Sequence, residues 1–309
     1  MTRKTALILG FTVLAWASAF PAIRLALAAY TPAQLALFRF ALASAVLLSY
    51  GALMRLEVPP WRDVLRMGLL GVLGISVYAV LLGYGQRQVP AGSASLLISS
   101  APVWMVLIAA FIGRERPTAR ALVGIAVSFS GVVLIASGRG VGLTSGPHAL
   151  AVLGAAFAGA AYNIAQKPLA SRYGAVRFTI VAVLGGTLAL LPAAPGLPAT
   201  VQTAPPQATW AVVYLAIVPG TLGYLGWSHV LSRASTAVAG SALYLVPAFS
   251  MLLSNLMLGE VPSAAALAGG LLVLAGVATV HGRKQAAAGS TASTILSAAR
   301  VARTAHDVS

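Results

Sequence analysis

The sequence predicts an all-α integral membrane protein of ten transmembrane helices, arranged as two inverted five-helix repeats. Hydrophobic residues make up 59% of the 309 residues and charged residues only 8%, whereas soluble proteins carry roughly 25% charged residues. Apolar runs of about 20 residues, enough to cross a hydrocarbon core of about 30 Å, recur along nearly the whole chain. A self-similarity at an offset of about 145 residues divides the chain into halves.

Turn signals and charges divide the apolar runs into ten candidate helices. Helices are expected rather than barrel strands, because the runs are long and uniformly apolar and lipid leaves no partner for an unpaired backbone group. The N-terminal run has a basic start, as a signal peptide does, but it is long enough to span and is predicted to be a retained first helix. The predicted helices cover residues 5–27, 33–54, 65–86, 91–112, 118–137, 148–168, 176–194, 208–231, 236–258 and 263–282.

The distribution of basic residues predicts the orientation. Nearly all Lys and Arg residues outside the spans fall in segments on one side, and the segments on the other side hold only Arg24, Arg87 and Arg139. Because basic connections stay in the cytoplasm, we expect a multi-pass protein of the inner (plasma) membrane with both termini cytoplasmic. The predicted units are a first repeat at 1–140, a second repeat at 141–284 and a polar basic cytoplasmic tail at 285–309.

The internal repeat holds proline, glutamate and glycine together at one offset without a gap. Because each half has five helices, an odd number, the second half must begin on the opposite side of the membrane and lie inverted. Inverted repeats underlie many secondary transporters, in which the substrate binds between the halves near the midplane. Some channels also carry inverted repeats. The matching pairs are Pro102 and Pro247, Leu107 and Leu252, Glu115 and Glu260, Pro117 and Pro262, Leu122 and Leu267, Gly124 and Gly269, and Gly131 and Gly276.

Composition also restricts the function classes. The formal charge of +15 comes from basic residues spread between hydrophobic runs, whereas nucleic-acid binders cluster them on one face or in one segment, so we expect no nucleic-acid partner. The chain has no cysteine, and we expect neither a metal nor a cofactor. An intramembrane enzyme would need a nucleophile with a base, a metal site or an acidic pair within the spans. Ser93 has no histidine plausibly paired with it, so no enzymatic activity is predicted.

Two prolines mark the region where substrate is expected. Pro102 and Pro247 lie in mid-helix at corresponding positions of the two halves, and each removes one backbone hydrogen bond. Either proline alone would fit a structural kink equally well, because bilayers tolerate such kinks. Interrupted helices at matching positions of a repeat, however, indicate a transporter site. Pro21, in the first helix, is a third candidate for a kink or gate.

Polar aromatic residues concentrate on the predicted inner helices. Trp and Tyr often mark membrane interfaces, but several of these residues fall well inside their spans, where a hydroxyl or indole N–H needs a partner. A lining of this kind suits amphipathic solutes, including aromatic ones. Asn163 could bind a solute's amino or carboxylate group or could tie helices together. The predicted substrate-binding residues are Trp16, Tyr78, Tyr84, Trp104, Tyr162, Asn163, Tyr224, Trp227 and Tyr244.

The two repeated glutamates are predicted to be structural. Glu115 and Glu260 precede Pro117 and Pro262, which are predicted to begin the next helices, where the helix dipole favours negative charge by about 0.3 to 1 kcal/mol. The topology places the two carboxylates on opposite sides of the membrane, so they indicate one hairpin corner built twice rather than an ion site. Replacing either glutamate by glutamine is therefore expected mainly to lower the folding yield. Arg39 lies about two turns into the second helix, where charge is costly and usually paired.

Several segments resemble the EamA-type transporters of the drug/metabolite transporter superfamily. "SLLISSAPVWMVLIAAFIGRERPTARALVGIAVSFSGVVLI" (95–135) and "ALYLVPAFSMLLSNLMLGEVPSAAALAGGLLVLAGVATV" (242–280) each carry a mid-helix proline, a glutamate before a proline and a glycine-spaced helix. "WASAFPAIRLAL" (16–27) and "LFRFALASAVLL" (37–48) resemble the family's first two helices. "AFAGAAYNIAQKPLASRYG" (156–174) keeps only an aromatic and a basic end of the corresponding motif.

The resemblance implies ten helices with both ends in the cytoplasm and a central cavity lined mainly by helices 1, 3, 4, 6, 8 and 9. It also implies that Arg39 is a structural anchor to backbone carbonyls, and that small metabolites such as amino acids are exported. The predicted function is a secondary transporter that exports small metabolites, above all amino acids including aromatic ones, by alternating access. A passive channel or a non-transporting membrane scaffold is the alternative. The expected partners are a small-molecule substrate and the lipid bilayer.

Overall fold

The computed structural model describes residues 2–112, 118–137, 146–233 and 242–279, and within these ranges the chain is helical and forms no strand. Helices lie at each predicted position, so the all-α prediction is confirmed. We label them α1 (Arg3–Ala26), α2 (Pro32–Leu53), α3 (Trp61–Gly85), α4 (Ala91–Phe111), α5 (Ala119–Ser137), α6 (Gly146–Ala165), α7 (Ala175–Ala189), α8 (206–233), α9 (242–258) and α10 (Ala264–Thr279).

Within the described ranges, six helices are long and apolar enough to cross a membrane by themselves: α1, α2, α3, α4, α6 and the Pro206–Trp227 part of α8. The described parts of α5, α7, α9 and α10 are shorter apolar helices. Several apolar spans in one chain make this a multi-pass membrane protein. The count of ten spans stays a prediction.

Local sequence sets the helix ends. Thr118 accepts a hydrogen bond from the third backbone N–H of α5, and Ser263 does the same for α10, as hydroxyl side chains do at helix N-caps. The helix α10 therefore begins at Ala264, and the expectation that Pro262 begins it was wrong by two residues. The serine hydroxyl caps the helix, and the proline precedes the cap.

Two predicted helices are shorter than expected. The sixth was predicted to reach residue 168, but α6 ends at Ala165 and a separate short helix, Lys167–Tyr173, follows it. The seventh was predicted to reach residue 194, but α7 ends at Ala189 and a 3₁₀ turn follows. Each extension contains a proline, Pro168 or Pro192, which has no N–H to continue the hydrogen-bond ladder. A further short helix, Leu197–Thr203, lies where a loop was expected.

Four helices are interrupted, at matching positions of the two halves. The helix α4 breaks at Ser99, three residues before Pro102, and α9 breaks at Tyr244, three residues before Pro247. Wider π-helical turns interrupt α3 at Val72–Val77 and α8 at Val218–Leu222. The starts of these π segments are 146 positions apart, close to the offset of the repeat. Such π segments often occur at functional sites.

The helices pack in a pattern that repeats between the halves. The helix α1 packs on α4, α8 and α9, and α6 packs on α3 and α4. The helix α2 packs on α8, and α7 packs on α3. The first two helices of each half therefore pack largely on the third and fourth helices of the other half. The two halves interlock as a result.

Glycines bring two helix pairs into backbone contact. A Cβ atom at Gly131 in α5 would lie 2.5 Å from the carbonyl oxygen of Gly269 in α10, and one at Gly276 would lie 2.5 Å from the carbonyl oxygen of Gly124. Higher residue numbers in α5 meet lower residue numbers in α10, so the two helices are antiparallel. The helices α3 and α7 approach equally closely where Gly68 faces Gly185. Small residues allow such close approach between membrane helices.

We expect Gly131→Ala to destabilise the fold by about 1 to 3 kcal/mol, because the added methyl group meets backbone that cannot rotate away. The midpoint of thermal denaturation of the purified protein in detergent measures the effect. Gly10→Ala is the matched control, because a Cβ at Gly10 has no neighbour within 4 Å. Equal denaturation midpoints for the two variants would contradict the close packing of α5 against α10.

Candidate functional site

Three aromatic residues of α1 and α8 form one cluster. The ring centroid of Trp16 lies 5.9 Å from that of Tyr224 and 5.3 Å from that of Trp227. The indole Nε1 of Trp16 donates a hydrogen bond to the carbonyl oxygen of Pro219 over 3.3 Å. Pro219 belongs to the π segment of α8, so the indole lies directly against that interruption.

A second group of aromatic residues lies on α3 and α6 in an equivalent arrangement. A Cβ atom at Gly74, in the π segment of α3, would overlap the ring of Tyr162. The ring of Tyr78 faces Gly159 of α6. Trp16 and Tyr162 are 146 positions apart in the sequence, and so are Tyr78 and Tyr224. Each half thus places one aromatic ring of its first helix against the π segment of the other half.

Arg39 joins the two groups. Its guanidinium group lies near Tyr78 and Tyr224, and its Cζ atom lies 4.5 Å from the ring centroid of Phe40. The Nε atom is buried and has no hydrogen-bond acceptor within the described part of the chain. No hydrogen bond from this guanidinium to a backbone carbonyl is found there either, so the described contacts offer no support for the predicted structural anchor.

A small crevice lies beside Tyr224. Its lining comes from α2, α7 and α8 and consists of Leu47, Val176, Thr179, Tyr224 and Leu225. Val176 is the second residue of α7, and Leu47 lies in the last third of α2. The crevice therefore lies nearer the end of the bundle where α2 ends and α7 begins. We call it the Asp63 end, because Asp63 and its partners lie there.

We call these two groups of aromatic residues together the central cluster. The other predicted binding residues lie outside it. Tyr84 is 40% exposed and stacks on His148 with centroids 4.6 Å apart, and Trp104 packs edge-on against two phenylalanine rings. Asn163 is exposed and accepts a hydrogen bond from Gln166. Tyr244 marks the break in α9. The central residues among those predicted are Trp16, Tyr78, Tyr162, Tyr224 and Trp227.

The three predicted prolines differ in their effects. Pro102 and Pro247 follow helix breaks, as described above. Pro21 is buried inside α1, which continues from Arg3 to Ala26 without a break. An interrupted first helix is therefore not seen, and the role of Pro21 as a gate stays a prediction.

Sequence reasoning missed an ion-pair network at the opposite end of the bundle, which we call the Glu260 end. Arg24 Nε donates to Glu260 Oε1 over 3.1 Å, and Arg24 Nη1 donates to the carbonyl oxygens of Gln86 and Arg87 over 2.6 and 3.1 Å. Glu260 Oε2 accepts from the backbone N–H of Ala91 over 2.8 Å. The carboxylate thus caps the start of α4 and not, as predicted, the start of the helix that follows it.

This network joins α1, the connection between α3 and α4, and the corner before α10. One feature of the sequence could have predicted this network. Arg24 and Glu260 are among the few charged residues that the predicted topology places on that side of the membrane. Glu115 and Pro117, at the corresponding corner of the first half, lie outside the described residues. Arg24 and Glu260 are only partly exposed, with 29% and 18% of their side-chain surface accessible.

The Asp63 end carries a second polar cluster. Asp63 pairs with Arg66 and Arg172 at 3.2 and 3.3 Å and accepts a hydrogen bond from the hydroxyl of Tyr173. This hydrogen bond raises the pKa of Tyr173 above its ordinary value. The cluster links the start of α3 to the short helix that follows α6. Both ends of the bundle are therefore tied by a carboxylate that connects elements of both halves.

Comparison with known proteins identifies the family. The EamA-like transporter family matches the chain twice, over residues 4–137 and 147–281. The chain belongs to this family.

Two relatives are named as exporters. The probable terminal-alkyne amino-acid exporter of Streptantibioticus cattleyicolor is 41% identical over 88% of this chain and 91% of its own length. The probable amino-acid metabolite efflux pump of Salmonella typhimurium is 26% identical over 90% and 94%. A protein of known crystal structure has the same fold, with a TM-score of 0.60 and 23% identity over 90% of this chain and 96% of that chain.

We expect Glu260→Gln to loosen the Glu260 end. Losing a partly buried ion pair costs about 1 kcal/mol, which raises the population of structures open at this end about fivefold. The natural chain has no cysteine, so a single Ser93→Cys substitution in α4, two residues beyond Ala91, reports the opening through its rate of maleimide labelling. Ser93 is 8% exposed.

Glu57→Gln in the same Ser93→Cys background is the control. Glu57 is 87% exposed and pairs with Arg177 only at 3.6 Å, at the Asp63 end, so its loss should leave the labelling rate unchanged. If Glu260→Gln labels no faster than Glu57→Gln, the Arg24–Glu260 pair does not hold this end closed.

Proposed function

We propose that this protein is a secondary transporter that exports small metabolites, above all amino acids including aromatic ones, by alternating access. The observation that carries the proposal is the central cluster. Both family-matched segments contribute aromatic residues to it at equivalent positions, and these residues lie against the π segments of α3 and α8. Substrate sites of secondary transporters form at such interrupted helices between repeats.

The proposed architecture is ten spans in two inverted repeats, 1–140 and 141–284. Two observations support it. The helix α1 runs toward the Glu260 end, where Arg24 lies, whereas α6 starts at that end, where His148 stacks on Tyr84 of α3. The glycine contacts between α5 and α10 also follow a twofold pattern: Gly131 meets Gly269, Gly124 meets Gly276, and these residues exchange places under the repeat offset.

We assign the Glu260 end to the outside and the Asp63 end to the cytoplasm of the inner membrane. The support is the excess of Lys and Arg in the segments at the Asp63 end. Both termini, and the basic tail at 285–309 that lies outside the described residues, would then be cytoplasmic. In this orientation the crevice beside Tyr224 lies in the inner half of the bundle, whereas the Arg24–Glu260 pair ties the outer end together.

This arrangement suits export. A solute entering from the cytoplasm reaches Tyr224 through the crevice, and its release requires the Arg24–Glu260 pair to separate. Within the described residues, every acidic side chain lies at an end of the bundle and is paired, so no carboxylate is available near the centre to relay protons. We therefore propose facilitated or loosely coupled transport.

The proposed substrate class rests on two supports. Relatives over nearly the full chain are named as exporters of amino acids or their metabolites. The central cluster offers indole and phenol rings with polar tips, which can contact both an apolar side chain and polar ends of one small molecule. The alternative, a passive channel or a non-transporting scaffold, differs in how the two ends of the bundle respond to solute.

Single cysteines at the two ends discriminate between these functions. Thr179→Cys reports on the inner crevice, and Ser93→Cys reports on the outer end. For a transporter we expect an amino acid substrate to change the two labelling rates in opposite directions, because one end closes as the other opens. The rate of maleimide labelling in proteoliposomes, with and without amino acids, is the measurement.

The matched control is Gly10→Cys, on an exposed position of α1 without close neighbours, whose labelling should not respond to solute. A channel would keep Thr179→Cys and Ser93→Cys reactive at the same time. A scaffold would show no response to any solute at either position.

A further inference from the structure

We propose that Arg39 binds the carboxylate of the transported solute and thereby selects carboxylate-bearing molecules. This proposal rests on the proposed function and names the recognition group of the same site. It departs from the expectation that Arg39 is a structural anchor.

The position of Arg39 makes an unpaired charge costly. Arg39 lies seven residues into α2, at a depth of about 10 Å from the start of a helix about 33 Å long. Charged side chains at such depth face the interior of a membrane protein and are usually paired. A cation held there, with no hydrogen-bond or ion-pair partner among the described residues, therefore points to an anion that binds it.

The acidic side chains that the structure describes do not supply that partner. Asp63 and Glu57 pair with arginines at the Asp63 end, and Glu260 pairs with Arg24 at the Glu260 end. These are the acidic side chains within the described ranges, and none contacts Arg39. The guanidinium instead has the Phe40 ring on one side and the two tyrosines Tyr78 and Tyr224 nearby.

Arg24 shows how this chain holds an arginine that serves as an anchor. Its guanidinium donates to a carboxylate and to two backbone carbonyls. Arg39, by contrast, has a buried Nε with no acceptor, while its side chain as a whole keeps some accessible surface. An arginine that is buried, unsatisfied and still partly accessible is what a binding site for an anion requires.

The geometry of a guanidinium group favours a carboxylate as the ligand. A guanidinium presents N–H groups as a planar fork, and a carboxylate can accept two parallel hydrogen bonds from it. Nε is buried and has no acceptor among the described residues, so a carboxylate that enters as the site opens would find this edge of the fork without a competing acceptor. The rings of Trp16 and Trp227 lie close to Tyr224, where they could contact the rest of the solute, including a cationic amino group over an indole face.

The test compares amino acids with their amides, which lack the carboxylate. Purified protein is screened with the twenty standard amino acids for thermal stabilisation and for uptake in proteoliposomes, and the two best are then titrated beside their carboxamides. For the wild-type protein we expect the half-maximal concentration to be at least tenfold lower for each acid than for its amide.

Two substitutions assign this preference to Arg39. Arg39→Gln should raise the half-maximal concentration for the acid at least tenfold and leave that for the amide unchanged, so that the preference disappears. Arg39→Lys keeps the charge but loses the fork, and should retain only part of the preference. Arg177→Gln, which removes an arginine that pairs with the exposed Glu57, is the control and should keep the full preference.

The outcomes separate the two proposals. If no amino acid is bound or transported, the proposed function fails and the role of Arg39 fails with it. If amino acids are transported but the wild-type protein treats acid and amide alike, only the role of Arg39 is overturned. The same conclusion follows if Arg39→Lys keeps the full preference. If Arg39→Gln does not fold, an equal response of the wild-type protein to acid and amide still overturns the role of Arg39, and a partial loss of the preference in Arg39→Lys supports it.

Discussion

Close approach of helix backbones at glycine is the constraint on which the rest of this structure depends. Apolar side chains gain little from leaving lipid, so membrane helices associate mainly through close packing. Gly131 and Gly269 bring α5 against α10, and Gly68 and Gly185 bring α3 against α7. Gly74 leaves the space that the ring of Tyr162 fills. Without these contacts, the aromatic residues of the two halves would not meet at the π segments.

Most features of the site recur in both halves, but Arg39 occurs in only one, and the two kinds of feature have different consequences. The aromatic pairs, the helix breaks and the π segments recur in both halves, so they belong to the part of the fold that two similar halves build together. Arg39 has no such counterpart, because the positions 145 and 146 residues later hold Leu184 and Gly185. In the proposed transporter, the symmetric residues would form the pathway that each half closes in turn. The one unmatched charge, Arg39, would give the bound solute a preferred orientation.

Much of this could be predicted from the sequence because lipid imposes strong rules on it. Apolar runs located the helices, and the offset between Pro102 and Pro247 located the two helix breaks. The π segments were not predictable, since they depend on how α3 and α8 pack against neighbouring helices that are distant in the sequence. The contact between Arg24 and Glu260 was not predictable either, because the two residues are far apart in the chain. The exposure of Asn163 was not predictable because it depends on how α6 is rotated against its neighbours.

The central claim is that the two halves carry solute by exposing one site to each side in turn, and solute counterflow tests it most directly. Proteoliposomes containing the protein are loaded with an unlabelled amino acid and diluted into a trace of the same amino acid in labelled form. Alternating access predicts that the labelled molecule transiently accumulates inside above its equilibrium level, because outgoing solute returns the site loaded with label. A monotonic approach to equilibrium would indicate a channel, and no protein-dependent uptake would indicate a scaffold; either result would contradict the account.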